Sequence, residues 1–267
     1  MLIQRVLTVI VLVPLLLGAL LCPYTWVFKL FVALGLALAL HEFFLLTGHP
    51  KRERTFGLAL GLLHSLYLLF CPRASQDLLF EGSLLMLALF AFYCFLKKQD
   101  LAGIAQRIAL TCLALAYVAT LGCFLGLLRD LEHGIFWVLI LLAMTWMNDT
   151  AAYFVGHRFG RHRLAPKISP GKTVEGFVGG LLGSLVGFLV PWFLMDNPVS
   201  LPLGILLVLA VGCVGPLGDL SESLIKRSAG VKDSGTLFPG HGGMLDRIDA
   251  LLFTGPVVYF FAAFLNS

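Results

Sequence analysis

The segment 135–155, IFWVLILLAMTWMNDTAAYFV, is an almost unbroken apolar run in which Asp149 is the sole charged side chain. A helix needs about 20 mostly apolar residues to cross the hydrocarbon core of a bilayer, so this segment is predicted to be a transmembrane helix. An unpaired carboxylate within such a helix costs on the order of 2.5–3.5 kcal/mol. We therefore expect Asp149 either to pair with a neighbouring helix or to bind a cation at the membrane edge.

The whole chain has the same apolar character. Of its 267 residues, 59% are hydrophobic and only 13% are charged, whereas about 25% of the residues of a soluble domain are charged. This composition predicts a membrane protein and excludes a disordered chain, a disulfide-stapled secreted domain and a nucleic-acid-binding protein. The six cysteines include no Cys-x-x-Cys pair, so their spacing indicates neither a metal site nor a disulfide framework.

Nine segments have the length and composition expected of membrane-spanning helices. The first is interpreted as a retained helix, because Leu20 and Leu21 do not provide the small residues of a signal-peptide cleavage site. The expected fold is an all-α polytopic membrane protein with about nine transmembrane helices. The predicted spans are 6–21, 24–46, 56–71, 78–96, 108–128, 135–155, 177–195, 201–218 and 250–265.

The basic residues predict the orientation of these helices. With nine spans, 16 of the 19 lysines and arginines fall on the side of the N-terminus, and Lys29, Arg73 and Arg129 fall on the other side. The positive-inside rule then places the N-terminus and four loops in the cytoplasm. The C-terminus is expected outside.

The polar residues concentrate at one end of the predicted helices. The fifth, seventh and eighth spans carry no charge in their middles. A transporter or channel would place ionisable groups near mid-membrane along a pathway. The pattern instead favours a protein that works at its cytoplasmic membrane surface.

The first polar stretch, 148–176, follows the sixth span and contains five cations between Arg158 and Lys172, interspersed with glycine and proline. Such a loop can bind a polyanion, although the positive-inside rule alone would also predict its charge. Gly171-Lys172-Thr173 resembles the end of a P-loop, but Pro166 occupies the position of the first required glycine. A P-loop is therefore excluded.

The second polar stretch, 219–249, combines carboxylates with cations. Asp219 and Glu222 are three residues apart and Asp219 and Ser223 four apart, so they share one face of a helix. Asp246 and Asp249 are likewise spaced for one face of the last helix. Hard oxygen ligands hold Mg²⁺, and neighbouring cations share the charge of a phosphate. The stretch thus predicts a phosphate–Mg²⁺ site, the alternative being a network of salt bridges of little energetic value if exposed.

The run SLIKRSAGVKDSGTLFPGHGGMLDRID, residues 223–249, resembles the signature of the phosphatidate cytidylyltransferases, also called CDP-diacylglycerol synthases. DTAAY at 149–153 and SPGKTVEG at 169–176 also resemble that family, whereas His157 departs from the basic residue expected there. The resemblance implies a dimeric, multi-pass enzyme of the cell inner membrane. Such an enzyme makes CDP-diacylglycerol and pyrophosphate from CTP and phosphatidic acid, with Mg²⁺ as cofactor and no nucleic acid as partner.

On this resemblance, residues 1–133 form a scaffold of about five helices that is a possible dimerisation region. Residues 134–267 form about four helices with catalytic loops facing the cytoplasm. Glu42 and Glu81 receive no role.

We assign hypothetical roles to three groups of side chains. One or two metal ions are held by Asp219 and Asp246, with Asp249 and Asp149 as further ligands or orienting groups. The CTP triphosphate is bound by Lys226, Arg227, Lys232 and His241. The remaining substrate-binding residues, chiefly for the phosphatidate headgroup, are Lys172, Arg161, Arg247 and Ser223.

Two other functions fit the same membrane setting. A CTP-dependent lipid kinase of the polyprenol type would use the same nucleotide but release CDP. A non-enzymatic anion transporter is the other alternative, and the absence of mid-span charge in the three spans named above argues against it.

Overall fold

The computed structural model describes residues 2–71, 89–90, 103–196, 198–235, 237 and 242–265. This part of the chain is almost entirely helical. Its helices are α1 Leu2–Leu21, α2 Thr25–Leu46, α3 Lys51–Phe70, α4 Ile104–Leu128, α5 Gly134–Phe159, α6 Val174–Leu194, α7 Leu201–Ser228 and α8 Leu245–Leu265. The middle of α4, Ala114–Thr120, is π-helical.

Six of these helices are long and apolar enough to cross a membrane, namely α2, α4, α5, α6, α7 and α8. The prediction of a helical multi-pass membrane protein is confirmed. Of the other three predicted spans, the first falls in α1, whose apolar stretch Ile10–Leu21 is shorter. The third falls in α3, which begins with four charged residues, and 78–96 lies almost wholly outside the described residues. The count of nine and the orientation of the termini stay predictions.

The chain divides into two compact units. Unit 1 comprises Met1–Gly126 and Asp233–Leu245, and unit 2 comprises Leu127–Lys232 and Asp246–Ser267. The segment between α7 and α8 therefore belongs mostly to unit 1, whereas the helices on either side of it belong mostly to unit 2.

In unit 1, α2 and α3 pack closely because glycines on α3 face large side chains on α2. A Cβ on Gly61 would lie 2.7 Å from a methyl carbon of Leu40, and one on Gly57 would lie 2.7 Å from the ring of Phe44. Larger residues at these positions would force the helices apart.

A polar cluster in unit 1 joins the loop before α3 to α4. The imidazole of His49 lies 3.2 Å from Thr111 Oγ1 and from the Arg107 carbonyl oxygen, while Arg107 Nε lies 3.0 Å from the buried Glu53 Oε2. Burial lowers the pKa of His49 below its usual value. The neutral imidazole therefore serves as a structural hydrogen-bonding group.

In unit 2, α5 and α6 pack along a row of glycines on α6. A Cβ on Gly183 would lie 2.6 Å from Ala151 Cβ, and one on Gly187 would lie 2.6 Å from the carbonyl carbon of Ala143. Close approach of backbones through small residues is a common way for membrane helices to associate. Asn148 joins a third helix to this pair, because its amide donates to Ser184 Oγ at 2.9 Å and to the Gly212 carbonyl oxygen at 3.4 Å.

The loop between α5 and α6 contains an antiparallel hairpin, β1 Arg163–Ala165 and β2 Ser169–Thr173, which the prediction of an all-α fold did not include. The end of the hairpin is joined to α6. Thr173 is the N-cap of α6, and its hydroxyl accepts a hydrogen bond from Gly176 N at 3.1 Å. The carboxylate of Glu175 accepts from the backbone N–H groups of Arg161 and His162.

Helix α7 extends to Ser228, ten residues beyond the predicted end at 218. The predicted span ended where charged residues begin, but within Asp219–Lys226 the side chain of Glu222 is buried and the others are half-exposed or, at Leu224, exposed. The helix therefore continues without a break through the polar residues.

Candidate active site

Lys172 and Asp219 form the first ion pair of the site. Lys172 lies near the end of β2, and its ammonium is 2.8 Å from Asp219 Oδ2 on α7. The same ammonium donates to the Pro216 carbonyl oxygen at 3.3 Å, and Ser223 Oγ donates to Asp219 Oδ1 at 3.2 Å. The hairpin and α7, separated in the chain by α6, thus bring together residues from both polar stretches.

Lys226 forms the second ion pair and faces two carboxylates. Its ammonium lies 2.5 Å from Asp246 Oδ1 on α8 and also contacts Glu222 one turn earlier on α7. The three side chains are 12%, 9% and 0% exposed for Lys226, Asp246 and Glu222 respectively. The contacts of Lys226 therefore join α7 to the first turn of α8, and the three side chains are largely shielded from solvent.

Three carboxylates on three helices interact electrostatically with one another: Asp149 on α5, Asp219 on α7 and Asp249 on α8. Lys172 and Arg247 are the cations that offset the charge of Asp149. The Asp249 carboxylate also accepts a hydrogen bond from Ala250 N at 2.8 Å. Asp149 therefore has cationic neighbours, as a charged group in such a helix requires.

The charge balance of this cluster is suited to a divalent cation. Its carboxylates outnumber its cations, five to three; the members are Asp149, Asp219, Glu222, Asp246, Asp249, Lys172, Lys226 and Arg247. Carboxylate oxygens are the ligands that Mg²⁺ prefers. Within the described ranges, however, no three histidine, cysteine or acidic side chains lie close enough to form a metal-ligand group. Two of the predicted metal ligands, Asp219 and Asp246, are instead paired with lysines.

The three predicted arginines are all exposed. The guanidinium of Arg227 donates to the carbonyl oxygens of Ile168 and Val231, at 3.4 and 3.3 Å, and so connects α7 to the hairpin turn. Arg161 is exposed and is joined to Glu175 through its backbone N–H. Arg247 is exposed on the first turn of α8.

Two predicted phosphate-binding residues lie in the segment after α7. Lys232 is exposed four residues beyond the end of α7. His241 lies outside the described residues. Neither can therefore be assigned a contact with the cluster.

Glu222 and Glu42 are among the acidic residues that received no role in the sequence analysis. Glu222 is fully buried against Lys226, and the four-residue spacing of a Glu–Lys pair was the available signal. Glu42 accepts hydrogen bonds from Ser234 and from the backbone of Met244 and Leu245 in unit 1. Because Glu42 is about 200 residues away from Met244 in the chain, no local pattern indicated that contact.

The comparison with known proteins agrees with the character of the site. A model of the cytidylyltransferase family matches residues 3–265. The uncharacterized protein YnbB of Escherichia coli (strain K12) is 37% identical over 243 residues, covering 88% of this chain and 79% of that protein.

Two relatives carry a functional name. A phosphatidate cytidylyltransferase of Bacillus subtilis (strain 168) is 35% identical over 215 residues, covering 77% of this chain and 79% of that protein. One of Staphylococcus saprophyticus is 38% identical over 183 residues, covering 68% and 69% of the two chains.

Together, the helical membrane fold, the cluster of carboxylates and cations and the family match define a multi-pass membrane nucleotidyltransferase. The chain belongs to the cytidylyltransferase family, among the phosphatidate cytidylyltransferases or CDP-diacylglycerol synthases.

Proposed function

We propose that the protein converts CTP and phosphatidic acid into CDP-diacylglycerol and pyrophosphate. The observation that carries this proposal is the pairing of Lys172 with Asp219 and of Lys226 with Asp246. The first pair joins the family-like segment 169–176 to α7, and the second joins two positions within the family-like run 223–249. The two relatives of this name described above are each aligned over two thirds or more of the chain.

In the proposed reaction, a phosphate oxygen of phosphatidate attacks the α-phosphorus of CTP. The bond from that phosphorus to the oxygen bridging to the β-phosphate breaks, and pyrophosphate leaves with the electron pair. Because phosphate monoesters are already ionised near neutral pH, the nucleophile needs no strong general base. Neutralising the charge and aligning the two phosphates are the tasks left to the protein.

Mg²⁺ would be held by Asp219 and Asp246, with Asp249 and Asp149 as additional ligands or orienting groups. A bound Mg²⁺ supplies Lewis-acid stabilisation of the charge on the transferring and leaving phosphates. The excess of carboxylates over cations in the cluster supports this assignment. These four carboxylates could also hold a second metal ion.

The cations would bind the two anionic substrates. Lys226, Arg227, Lys232 and His241 are proposed to bind the triphosphate and the leaving pyrophosphate. Lys172, Arg161, Arg247 and Ser223 are proposed to bind the remaining substrate groups, chiefly the phosphatidate headgroup. In this assignment the lysines exchange part of their carboxylate contacts for phosphate oxygens, which are comparably strong acceptors of charge-assisted hydrogen bonds.

The proposed setting is the cell inner membrane, with the site at the cytoplasmic surface. The position of the basic residues and the supply of CTP from the cytoplasm both support this orientation. Homodimerisation, a scaffolding role for residues 1–133 and a catalytic role for 134–267 remain part of the proposal.

The decisive experiment follows labelled CTP in detergent micelles that contain phosphatidic acid and Mg²⁺. Release of pyrophosphate with formation of CDP-diacylglycerol is expected. Accumulation of free CDP with a newly phosphorylated lipid would instead identify a CTP-dependent lipid kinase. Lack of any CTP conversion would contradict an enzymatic role with this lipid.

Substitution of the acidic residues tests the metal assignment. Asp219→Ala and Asp246→Ala are each expected to lower the rate by about 100-fold or more, a loss typical of removing one stabilising group from a reaction centre. Turnover would be measured over a range of Mg²⁺ concentrations. Near-normal, Mg²⁺-dependent turnover in both variants would refute the assignment.

A further inference from the structure

Glu42, near the end of α2, is buried with 5% exposure, and its contacts lie far along the chain. Its Oε1 accepts a hydrogen bond from Met244 N at 2.9 Å. Its Oε2 accepts from Leu245 N at 2.9 Å and from Ser234 Oγ at 3.1 Å. All three donors belong to the described part of 233–245, namely residues 233–235, 237 and 242–245, here called the signature segment, which lies with α2 in unit 1.

The signature segment has glycines where the carboxylate of Glu42 approaches it. A Cβ on Gly235 would lie 2.7 Å from Glu42 Oε1, and a Cβ on Gly243 would lie 2.6 Å from Glu42 Cδ. Neither glycine has a positive φ, so the backbone conformation does not require glycine there. The two glycines are needed for space, because any side chain would push the segment off the carboxylate.

Glu42 also provides a hydrogen-bond acceptor for the first backbone N–H group of α8. Leu245 is the first residue of this helix, and the first N–H groups of a helix have no acceptor within it. A carboxylate at this end is further favoured by the helix dipole. Glu42 therefore fixes both the signature segment and the point where α8 begins.

We propose that Glu42 is a positioning residue for catalysis, which holds the signature segment and the first turn of α8 in the geometry needed for turnover. Asp246, which pairs with Lys226, directly follows Leu245 in the chain. Displacement of the Leu245 N–H therefore displaces the carboxylate next to it. This inference rests on the proposed function, because it assumes that Asp246 serves the cytidylyl transfer.

Glu42→Gln is the informative variant because it keeps the volume of the side chain. The amide retains one acceptor oxygen, but its NH₂ group cannot accept the hydrogen bonds received by the other oxygen. Whichever way the amide is oriented, the backbone N–H of either Met244 or Leu245 thereby loses its acceptor. The charge at the start of α8 is lost as well.

Glu53→Gln is the matched control. Glu53 is also a fully buried carboxylate of unit 1, but its partner is Arg107 on α4. If Glu42 only stabilises unit 1, the two variants should behave alike. If it positions the signature segment, only Glu42→Gln should slow turnover of the folded enzyme.

The experiment uses the full-length protein in detergent with CTP, phosphatidic acid and Mg²⁺. We expect Glu42→Gln to lower kcat by about 10- to 100-fold with little change in the KM for CTP, since a small misplacement at a reaction centre has effects of this size. Glu53→Gln should lose thermal stability while the folded enzyme keeps its kcat within about two-fold. Equal kcat values for the two variants at a temperature where both are folded would overturn the proposal.

Hydrogen exchange supplies a readout that does not depend on the reaction. The amides of 242–247 should exchange faster in Glu42→Gln than in the wild type, and those of α3 should not. Failure of the wild-type protein to convert CTP would refute the proposed function. Unchanged hydrogen exchange at 242–247 in Glu42→Gln would instead refute the anchoring role of Glu42. The two failures are therefore distinguishable.

A double-mutant cycle tests the contact itself. Gly235→Ala places a methyl group against Glu42 and is expected to lower kcat as Glu42→Gln does. In a Glu42→Ala background the space is free, so Gly235→Ala should have almost no further effect, as expected for residues in direct contact. Additive effects of the two substitutions would contradict the proposed contact.

Discussion

At the scale of single residues, Lys226 is a largely buried cation that contacts two carboxylates. Its ammonium serves both Asp246 and the fully buried Glu222. Removing one partner of a buried ion pair leaves an uncompensated charge, which costs more than the pair itself contributes. The lysine is therefore expected to matter for folding as well as for binding of the triphosphate.

Lys226→Met should destabilise the protein by about 3–5 kcal/mol, the usual result of breaking a buried pair. Adding Glu222→Gln should restore part of this loss, because one of the two stranded charges is then removed. The free energy of unfolding in detergent measures both effects. Lys167→Met, at an exposed position in the hairpin turn, is the control and should change stability by less than about 0.5 kcal/mol. A similar loss in both lysine variants would contradict the role of the buried pair.

At the scale of the elements, the contact between α5 and α6 depends on backbone proximity. The buried face of α6 includes Gly176, Gly179, Gly180, Gly183 and Gly187. At three of these positions an added Cβ would meet backbone atoms of α5. The register of the two helices is therefore fixed by steric fit, and with it the position of Asp149 and the hairpin that follows α5.

Gly187→Ala should destabilise the fold by about 1–3 kcal/mol through overpacking, because its Cβ would lie 2.6 Å from the carbonyl carbon of Ala143. Thermal unfolding in detergent is the measurement. Gly18→Ala in α1 is the control, since nothing lies within 4 Å of the added Cβ there. This control should be neutral or slightly stabilising, because alanine favours a helix more than glycine does. Equal stability of the two variants would contradict steric packing at Gly187.

The junction of hairpin and α6 gives a second prediction at this scale. Thr173 caps α6 directly after Lys172, and Thr173→Ala is expected to cost about 1 kcal/mol of stability. Activity should fall as well, because the end of β2 that carries Lys172 is then no longer fixed to α6. Thr173→Ser keeps the capping hydroxyl and should retain most of both properties. If serine and alanine have the same effect, the cap is not the cause.

At the scale of the whole molecule, the chain crosses between its two units within the region that resembles the family signature. Lys232 and Asp246 belong to unit 2, whereas 233–245 belongs to unit 1. The stretch with the strongest family resemblance thus contributes to the internal structure of both units.

The membrane orientation gives the prediction at this scale. Nine spans and the distribution of the basic residues predict an N-terminus in the cytoplasm and a C-terminus outside. Reporters that are active only in the cytoplasm or only outside, fused to each end of the full chain, measure this directly. Signals from the same side at both ends would refute an odd number of spans.

Much of the fold was predictable from local patterns. Apolar runs of membrane length predicted the helices α2 and α4 to α8, because the period and length of a helix are properties of a short stretch of chain. The face shared by Asp219 and Ser223 was predictable for the same reason, and the two residues are hydrogen-bonded. The hairpin was missed, since its short strands contain no apolar run, and the predicted membrane span ended at 218 although the helix continues to Ser228.

By itself, the sequence determined that the chain is a helical membrane protein, which side chains its polar stretches contain, and which family these stretches resemble. Only the tertiary structure decided that Lys172 pairs with Asp219 and that Lys226 contacts both Glu222 and Asp246. It alone also decided that Glu42 accepts hydrogen bonds from Ser234, Met244 and Leu245. The physical reason is range: helix formation and amphipathic spacing act over a few residues, whereas ion pairs and caps between elements depend on how distant segments pack.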